Sequence, residues 1–223
     1  MRNLLSFALL FAATAAVAAD SAKPDRWESA IASFEAADKK NPVPADSVIF
    51  TGSSSARMWK TLAADFPEFA VRNRGFGGSQ MSDLVRHSTR FLLPHKPKAV
   101  VVYSGDNDIN AGKTPEIVLA DFQALVAQIH GVRTDARVLC IPVKPSIKRW
   151  SKIDAIRAAN ALLKTYCESD QRLDYVDIFT PMLGDDGEPR RELLAKDKLH
   201  LSPAGYALWT REVRKTLGLT ARD

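Results

Sequence analysis

The chain has 223 residues, 46% of them hydrophobic and 26% charged, the proportions of one ordinary soluble domain. Its net charge of +5 is spread along the sequence, and the densest basic stretch, Lys144, Lys148, Arg149 and Lys152, is short and holds one aromatic residue, Trp150. A nucleic-acid face would need a longer basic stripe, so no nucleic-acid partner is expected.

The N-terminus reads as a separate unit. Arg2 gives a positive start, residues 4–17 are apolar and rich in Ala and Leu, and Ala16-Val17-Ala18-Ala19 offers small residues for cleavage. That pattern predicts a secretory signal over 1–19. The apolar stretch is too short for a membrane span. The mature chain, 20–223, is therefore expected in the periplasm or outside the cell, with no integral membrane segment. Nothing in the sequence sets its oligomeric state. The two cysteines, Cys140 and Cys167, could pair in an exported protein, although Cys140 falls in an apolar run that reads as a core strand. Two thiols are too few for a zinc site of their own.

From residue 25 to 40, Trp27, Ile31, Phe34 and Ala37 recur at helical spacing, and Asn41-Pro42-Val43-Pro44 ends the helix. Residues 47–51 form a short apolar run that reads as a first strand. It leads into Gly52-Ser53-Ser54-Ser55. A short helix is expected over 56–65, a second strand over 70–73, a glycine-rich loop over 75–78 and a helix over 81–93. Residues 99–103, Ala-Val-Val-Val-Tyr, are almost wholly apolar and read as a central parallel strand. A loop is expected over 104–113. Thr114-Pro115 then opens a helix with an N-cap residue and a proline in its first turn, and Gly131 closes it. A fourth strand at 137–141, an irregular loop at 142–150, a helix at 151–168 and a fifth strand at 173–178 follow. The last helix begins at Ser202-Pro203. Strands alternating with helices predict a parallel sheet covered on both faces. The fold class is α/β: a three-layer α/β/α sandwich on a five-stranded parallel sheet, flavodoxin-like, in one domain.

Such sheets place ligands outside the C-terminal ends of their strands. The loops there carry the triple serine, then Asn73-Arg74-Gly75-Phe76-Gly77-Gly78, then Ser104-Gly105-Asp106-Asn107-Asp108, then Asp197-Lys198-Leu199-His200. Between them they hold a hydroxyl, a glycine-rich backbone, a carboxamide and an acid–imidazole pair, which are the parts of acyl-transfer chemistry. Asp197 is close enough in sequence to His200 to orient its imidazole as a base. His87, His95 and His130 fall toward the other edge. Asn107 could donate its amide N–H to an oxyanion, or simply form a turn. Gly78 lets its backbone N–H approach a substrate, or makes a tight turn.

These blocks, in this order, resemble the SGNH or GDSL hydrolase superfamily (the GDSL-like lipase/acylhydrolases) over roughly residues 47–217. The matching segments are Phe50 to Ser55, Asn73 to Gly78, Gly105 to Asp108, and Asp197 to His200 followed by Leu201-Ser202-Pro203-Ala204-Gly205. The resemblance implies Ser54 as nucleophile, His200 as base and Asp197 as its orienting acid. The backbone N–H groups of Ser54 and Gly78 and the Asn107 amide then form the oxyanion hole. It implies a serine esterase with no metal or organic cofactor. Ser53 stands where the family carries an acid, which leaves open how the turn is supported.

Other motifs fail on spacing. Gly112-Lys113-Thr114 lacks the earlier glycine of a P-loop, since Asn107 stands there. Residues 106–117 lack the glycine and glutamate of a calcium loop, with Ala111 and Ile117 in those places. Gly75-Phe76-Gly77 lacks the third glycine of a dinucleotide fingerprint. Gly52-x-Ser54 is followed by Ala56 where a nucleophile elbow needs glycine. The absence of a long apolar insertion favours short acyl groups, acetyl among them, in a small-molecule or saccharide ester. A lysophospholipase, a thioesterase, or a carbohydrate-binding module that keeps the fold without catalysis are the alternatives. Trp59, Phe76 and Trp150 could stack on a sugar or shape an acyl pocket, or pack beneath the loops.

Overall fold

The computed structural model describes residues 25–219; the expected signal at 1–19 lies outside them. Its centre is a five-stranded parallel sheet in the order β2-β1-β3-β4-β5. The strands are β1 (Val48–Gly52), β2 (Val71–Gly75), β3 (Ala99–Tyr103), β4 (Arg137–Ile141) and β5 (Leu173–Tyr175). The register is unbroken across the middle: Phe50 of β1 faces Val101 of β3, and Val101 faces Leu139 of β4.

The continuous apolar runs are explained by burial on both faces. Successive side chains alternate between two cores. Ile49, Val100, Val102, Val138 and Cys140 enter one of them. It is covered by α1 (Glu28–Lys40), α4 (Met81–Phe91), α6 (Pro115–Val132) and α7 (Ile153–Glu168). Val48, Phe50, Val101, Tyr103, Leu139 and Ile141 enter the other. That side is covered by α3 (Leu62–Asp65) and α8 (Pro203–Thr216). Cys140 and Cys167 meet in the first core as buried free thiols. The hydrogen bond to Cys167, with burial, holds the Cys140 thiol well above its ordinary range. Among the described residues no helix is long and apolar enough to cross a membrane.

Several local expectations shift. The helix expected over 56–65 is two short helices, α2 (Ser54–Arg57) and α3. The break is fixed by Asp65, which accepts the Trp59 indole N–H at 2.6 Å and the Thr61 hydroxyl at 2.7 Å. The loop expected after β3 contains a helical turn, α5 (Asp106–Asn110). Residues Ile147–Lys152 form a 3₁₀ turn ahead of α7. Gly131 does not stop α6, which runs on to Val132; one glycine in a last turn costs only about 1 kcal/mol. β5 stops at Tyr175, because the chain bends there and the Ile178 N–H donates to the Val176 carbonyl at 2.7 Å.

Candidate active site

The strand order reverses once, between β1 and β3, and the C-terminal ends of those two strands frame the crevice where such a sheet binds ligands. The crossing is tight. A Cβ on Gly52 would lie 1.8 Å from the Tyr103 carbonyl oxygen, and Gly52 has φ +132°, so only glycine fits. The chain then enters α2. The Ser53 N–H donates to the Tyr103 carbonyl at 3.0 Å, and the Ser53 carbonyl accepts the Arg57 N–H at 3.0 Å. The turn is therefore held through the Ser53 backbone, with no acidic side chain at that position.

Ser54, the first residue of α2, is half-buried and presents its hydroxyl to His200. The His200 Nε2 to Ser54 Oγ distance is 2.9 Å. On the other side of the ring, His200 Nδ1 stands 2.5 Å from Asp197 Oδ2. Asp197 Oδ1 also accepts the backbone N–H groups of Leu199 and His200, each at 3.0 Å. Burial works to raise the Asp197 carboxyl, but the His200 hydrogen bond and those two N–H groups hold it below the ordinary carboxylate range. The loop that allows this fold-back turns at Lys198, with φ +60°.

The three groups expected as oxyanion donors sit at the C-terminal ends of β1, β2 and β3. The Ser54 N–H heads α2 and has no intrahelical partner. Gly78 sits at φ +83° in the loop after β2. The Asn107 amide gives one N–H to the Ser79 carbonyl at 2.9 Å, which leaves its second N–H available and ties the β3 loop to the β2 loop. Asp108 ties the same loops more firmly. Both its carboxylate oxygens accept the Met81 N–H, at 3.1 and 3.0 Å, and Oδ1 accepts the Lys113 ammonium at 2.9 Å. A carboxylate at that end of α4 also suits the helix dipole. Asn73 stitches β2 to α2, its amide N–H donating to the Ala56 carbonyl at 2.7 Å and its oxygen accepting the Gly75 N–H.

Behind this layer lies a charged network. The fully buried Lys144 ammonium bonds Asp106 Oδ2 and the Tyr103 hydroxyl, each at 3.0 Å. Arg149 lies 3.4 Å from the other Asp106 oxygen. Asp106 precedes Asn107, and Tyr103 ends β3, so the network underpins the β3 wall of the crevice. A run of loop cations in sequence gave no sign that Lys144 would be buried; its partners come from the neighbouring strand.

Two expected substrate contacts are corrected. Trp59 is 2% exposed and packs against Phe50, Phe66, Tyr206 and Trp209. Phe76 is 1% exposed and packs against Trp27, His87 and Phe91. Both follow functional loops in sequence but point into the core. Trp150 is half-buried over Arg157. Its 3₁₀ turn touches the Asp197–His200 loop through the Lys148 N–H, which donates to the Lys198 carbonyl at 3.0 Å.

An α/β/α sandwich with a serine, a histidine and an aspartate in line at its switch point defines a class of protein on geometry alone. The sequence comparison agrees with that class: the profile of the GDSL-like lipase/acylhydrolase family matches residues 44–208. The chain belongs to that family of esterases and acylhydrolases. No curated protein sequence matches it significantly. Among solved structures, a GDSL-like lipase from Bacteroides thetaiotaomicron superposes with a TM-score of 0.71 at 18% identity, over 84% of this chain and 97% of that one. A catalytic variant of the acetylxylan esterase Axe2 from Geobacillus stearothermophilus superposes with a TM-score of 0.64 at 16% identity, over 79% of this chain and 97% of that one.

Proposed function

We propose that the chain is an exported serine esterase that removes short acyl groups, acetyl foremost, from a small-molecule or saccharide ester. The observation that carries the reading is the unbroken line from Asp197 through His200 to the Ser54 hydroxyl. In this mechanism His200 takes the Ser54 proton as Oγ attacks the ester carbonyl, and Asp197 steadies the imidazolium that forms. The N–H groups of Ser54, Gly78 and Asn107 receive the negative charge of the tetrahedral intermediate. His200 then gives its proton to the leaving alcohol oxygen as the C–O bond breaks. Water, deprotonated by the same base, releases the acid and restores Ser54.

The structural likeness to an acetylxylan esterase and a sequence without a long apolar insertion after its strands support a small acyl group and a saccharide alcohol. Trp150 is the aromatic residue left to stack on such a sugar. The test is hydrolysis of 4-nitrophenyl acetate by the purified chain and by Ser54→Ala and His200→Ala. Each variant is expected to lose roughly 10⁴-fold or more in kcat, and acetate esters should be cleaved faster than octanoate esters. Equal turnover by wild type and Ser54→Ala would refute the mechanism.

A further inference from the structure

Two guanidinium groups press on the oxyanion loop, and the mechanism uses neither. Arg57 closes α2, one helical turn after Ser54, so the two share a helix face. Its Nε lies 2.8 Å from where a Cβ on Gly77 would stand. Arg26 Nη2 lies 3.1 Å from the corresponding point on Gly78. The two glycines thus do more than shape a turn: they let both cations approach the backbone that carries the Gly78 donor. Both arginines are exposed, and among the described residues neither is ion-paired with a carboxylate.

The surroundings leave that charge unspent. A cleft of about 350 Å³ opens beside Gly78, lined by Arg26, Trp27, Gln80, Arg86, Asp25 and Asp83. Of its two carboxylates, Asp25 faces two basic side chains, whereas Asp83 is held by a backbone N–H and keeps its charge. Asp25 lies 3.3 Å from both Arg86 and His87, and Asp83 accepts the Gln80 N–H at 2.8 Å. The Arg26 guanidinium lies over the Trp27 ring, 4.4 Å from its centroid, and both residues line the cleft.

We infer that Arg26 and Arg57 form an anion subsite beside the oxyanion loop, and that the natural ester carries a carboxylate or similar anionic group close to its scissile bond. The inference rests on the esterase reading and narrows its substrate class to acidic esters. Planar guanidinium groups suit a carboxylate, which they can bind through paired N–H donors. The anion can belong to the alcohol, as in an acylated acidic sugar, or to the acyl group, as in a half-ester of a dicarboxylic acid.

Two matched pairs of probes separate these sources. 4-Acetoxybenzoate and its methyl ester differ by an anion on the alcohol side. Mono-4-nitrophenyl succinate and 4-nitrophenyl butyrate differ by an anion on the acyl side. The ratio of kcat/KM, anionic over neutral, is measured for wild type, Arg57→Gln and Arg26→Gln. For one pair the ratio is expected to fall about tenfold in each variant, and to fall in the wild type as salt is raised. Ratios unchanged by both substitutions, for both pairs, overturn the subsite. If the wild type cleaves none of the four probes, the esterase reading fails and calorimetry decides the subsite alone. Binding of 4-acetoxybenzoate to Ser54→Ala should be about tenfold tighter than to Ser54→Ala/Arg57→Gln, with the methyl ester showing no such difference. The same comparison is made with mono-4-nitrophenyl succinate against 4-nitrophenyl butyrate, and equal affinities for both anionic probes overturn it.

Discussion

A single amide shows how finely the crevice is set. Asn107 spends one N–H on the Ser79 carbonyl, which joins two loops and leaves the other N–H for the oxyanion of the proposed mechanism. Asn107→Ala should separate these roles. Loss of a transition-state donor costs roughly 10²–10³ in kcat, whereas loss of one net hydrogen bond costs about 1 kcal/mol of stability. Kinetics on 4-nitrophenyl acetate beside a urea titration will show a large fall in kcat with a small fall in stability; a fall of less than threefold in kcat would remove Asn107 from the oxyanion hole. Position near a strand end or before a helix cap singled out the triple serine, Gly78, Asn107, Asp197 and His200, and the family resemblance chose Ser54 from the three serines; the fold sets Ser54, His200 and Asp197 in line. Trp59 and Phe76 were not. A loop aromatic can turn outward or inward, and the turn inward is decided by helices far away in the chain: Tyr206 and Trp209 of α8 for one, Trp27 ahead of α1 for the other.

At the level of elements, the ends of β3 and β4 are pinned by charge as well as by apolar packing. Burial pushes the Lys144 ammonium down, and the adjacent Tyr103 hydroxyl and Asp106 carboxylate more than reverse it, leaving it above the ordinary lysine range. Asp106 responds in the opposite sense. Burial would raise its carboxyl, yet Lys144, with Arg149 behind it, holds it below its ordinary value. Such a pair is costly to break and cheap to replace. Lys144→Met leaves Asp106 buried beside only Arg149, and is expected to cost about 3–5 kcal/mol. Lys144→Met/Asp106→Asn removes both charges and should recover a large part of that loss. Denaturant titrations of the four proteins in the cycle measure the coupling, and strictly additive losses would mean that the two charges do not interact. In the sequence the same lysine belonged to a basic loop that reads as solvated. Its burial depends on β4 lying directly beside β3, a pairing between distant segments that periodicity does not encode.

For the whole molecule, the sheet order brings the site together. The alternation of strands and helices announced a flavodoxin-like parallel sheet, in which β1 lies between β2 and β3. That order makes the single reversal of direction coincide with Gly52 and Tyr103, so the segments carrying Ser54 and Asn107 leave neighbouring strand ends. The same crevice concentrates carboxylates that must stay ionised, which couples folding to pH. Asp106 and Asp197 have folded values below their ordinary 3.8. Groups of this kind contribute stability in full above that ordinary value, and lose it as pH falls through the lower folded value. Asp108 is opposed: burial raises its carboxyl despite Lys113, so its contribution is present below 3.8 and is lost as pH rises through the raised value. Asp197 is largely exposed, at 45% of its side chain, and contributes little after solvent screening. Of these three carboxylates, Asp106 is the one that adds an acid slope. Stability measured by urea unfolding should be level from neutral pH to about 5 and fall below about pH 4. In Lys144→Met/Asp106→Asn that acid slope should flatten. If the double variant falls as steeply as the wild type, the acid sensitivity comes from the surface carboxylates instead of the pair beneath the crevice.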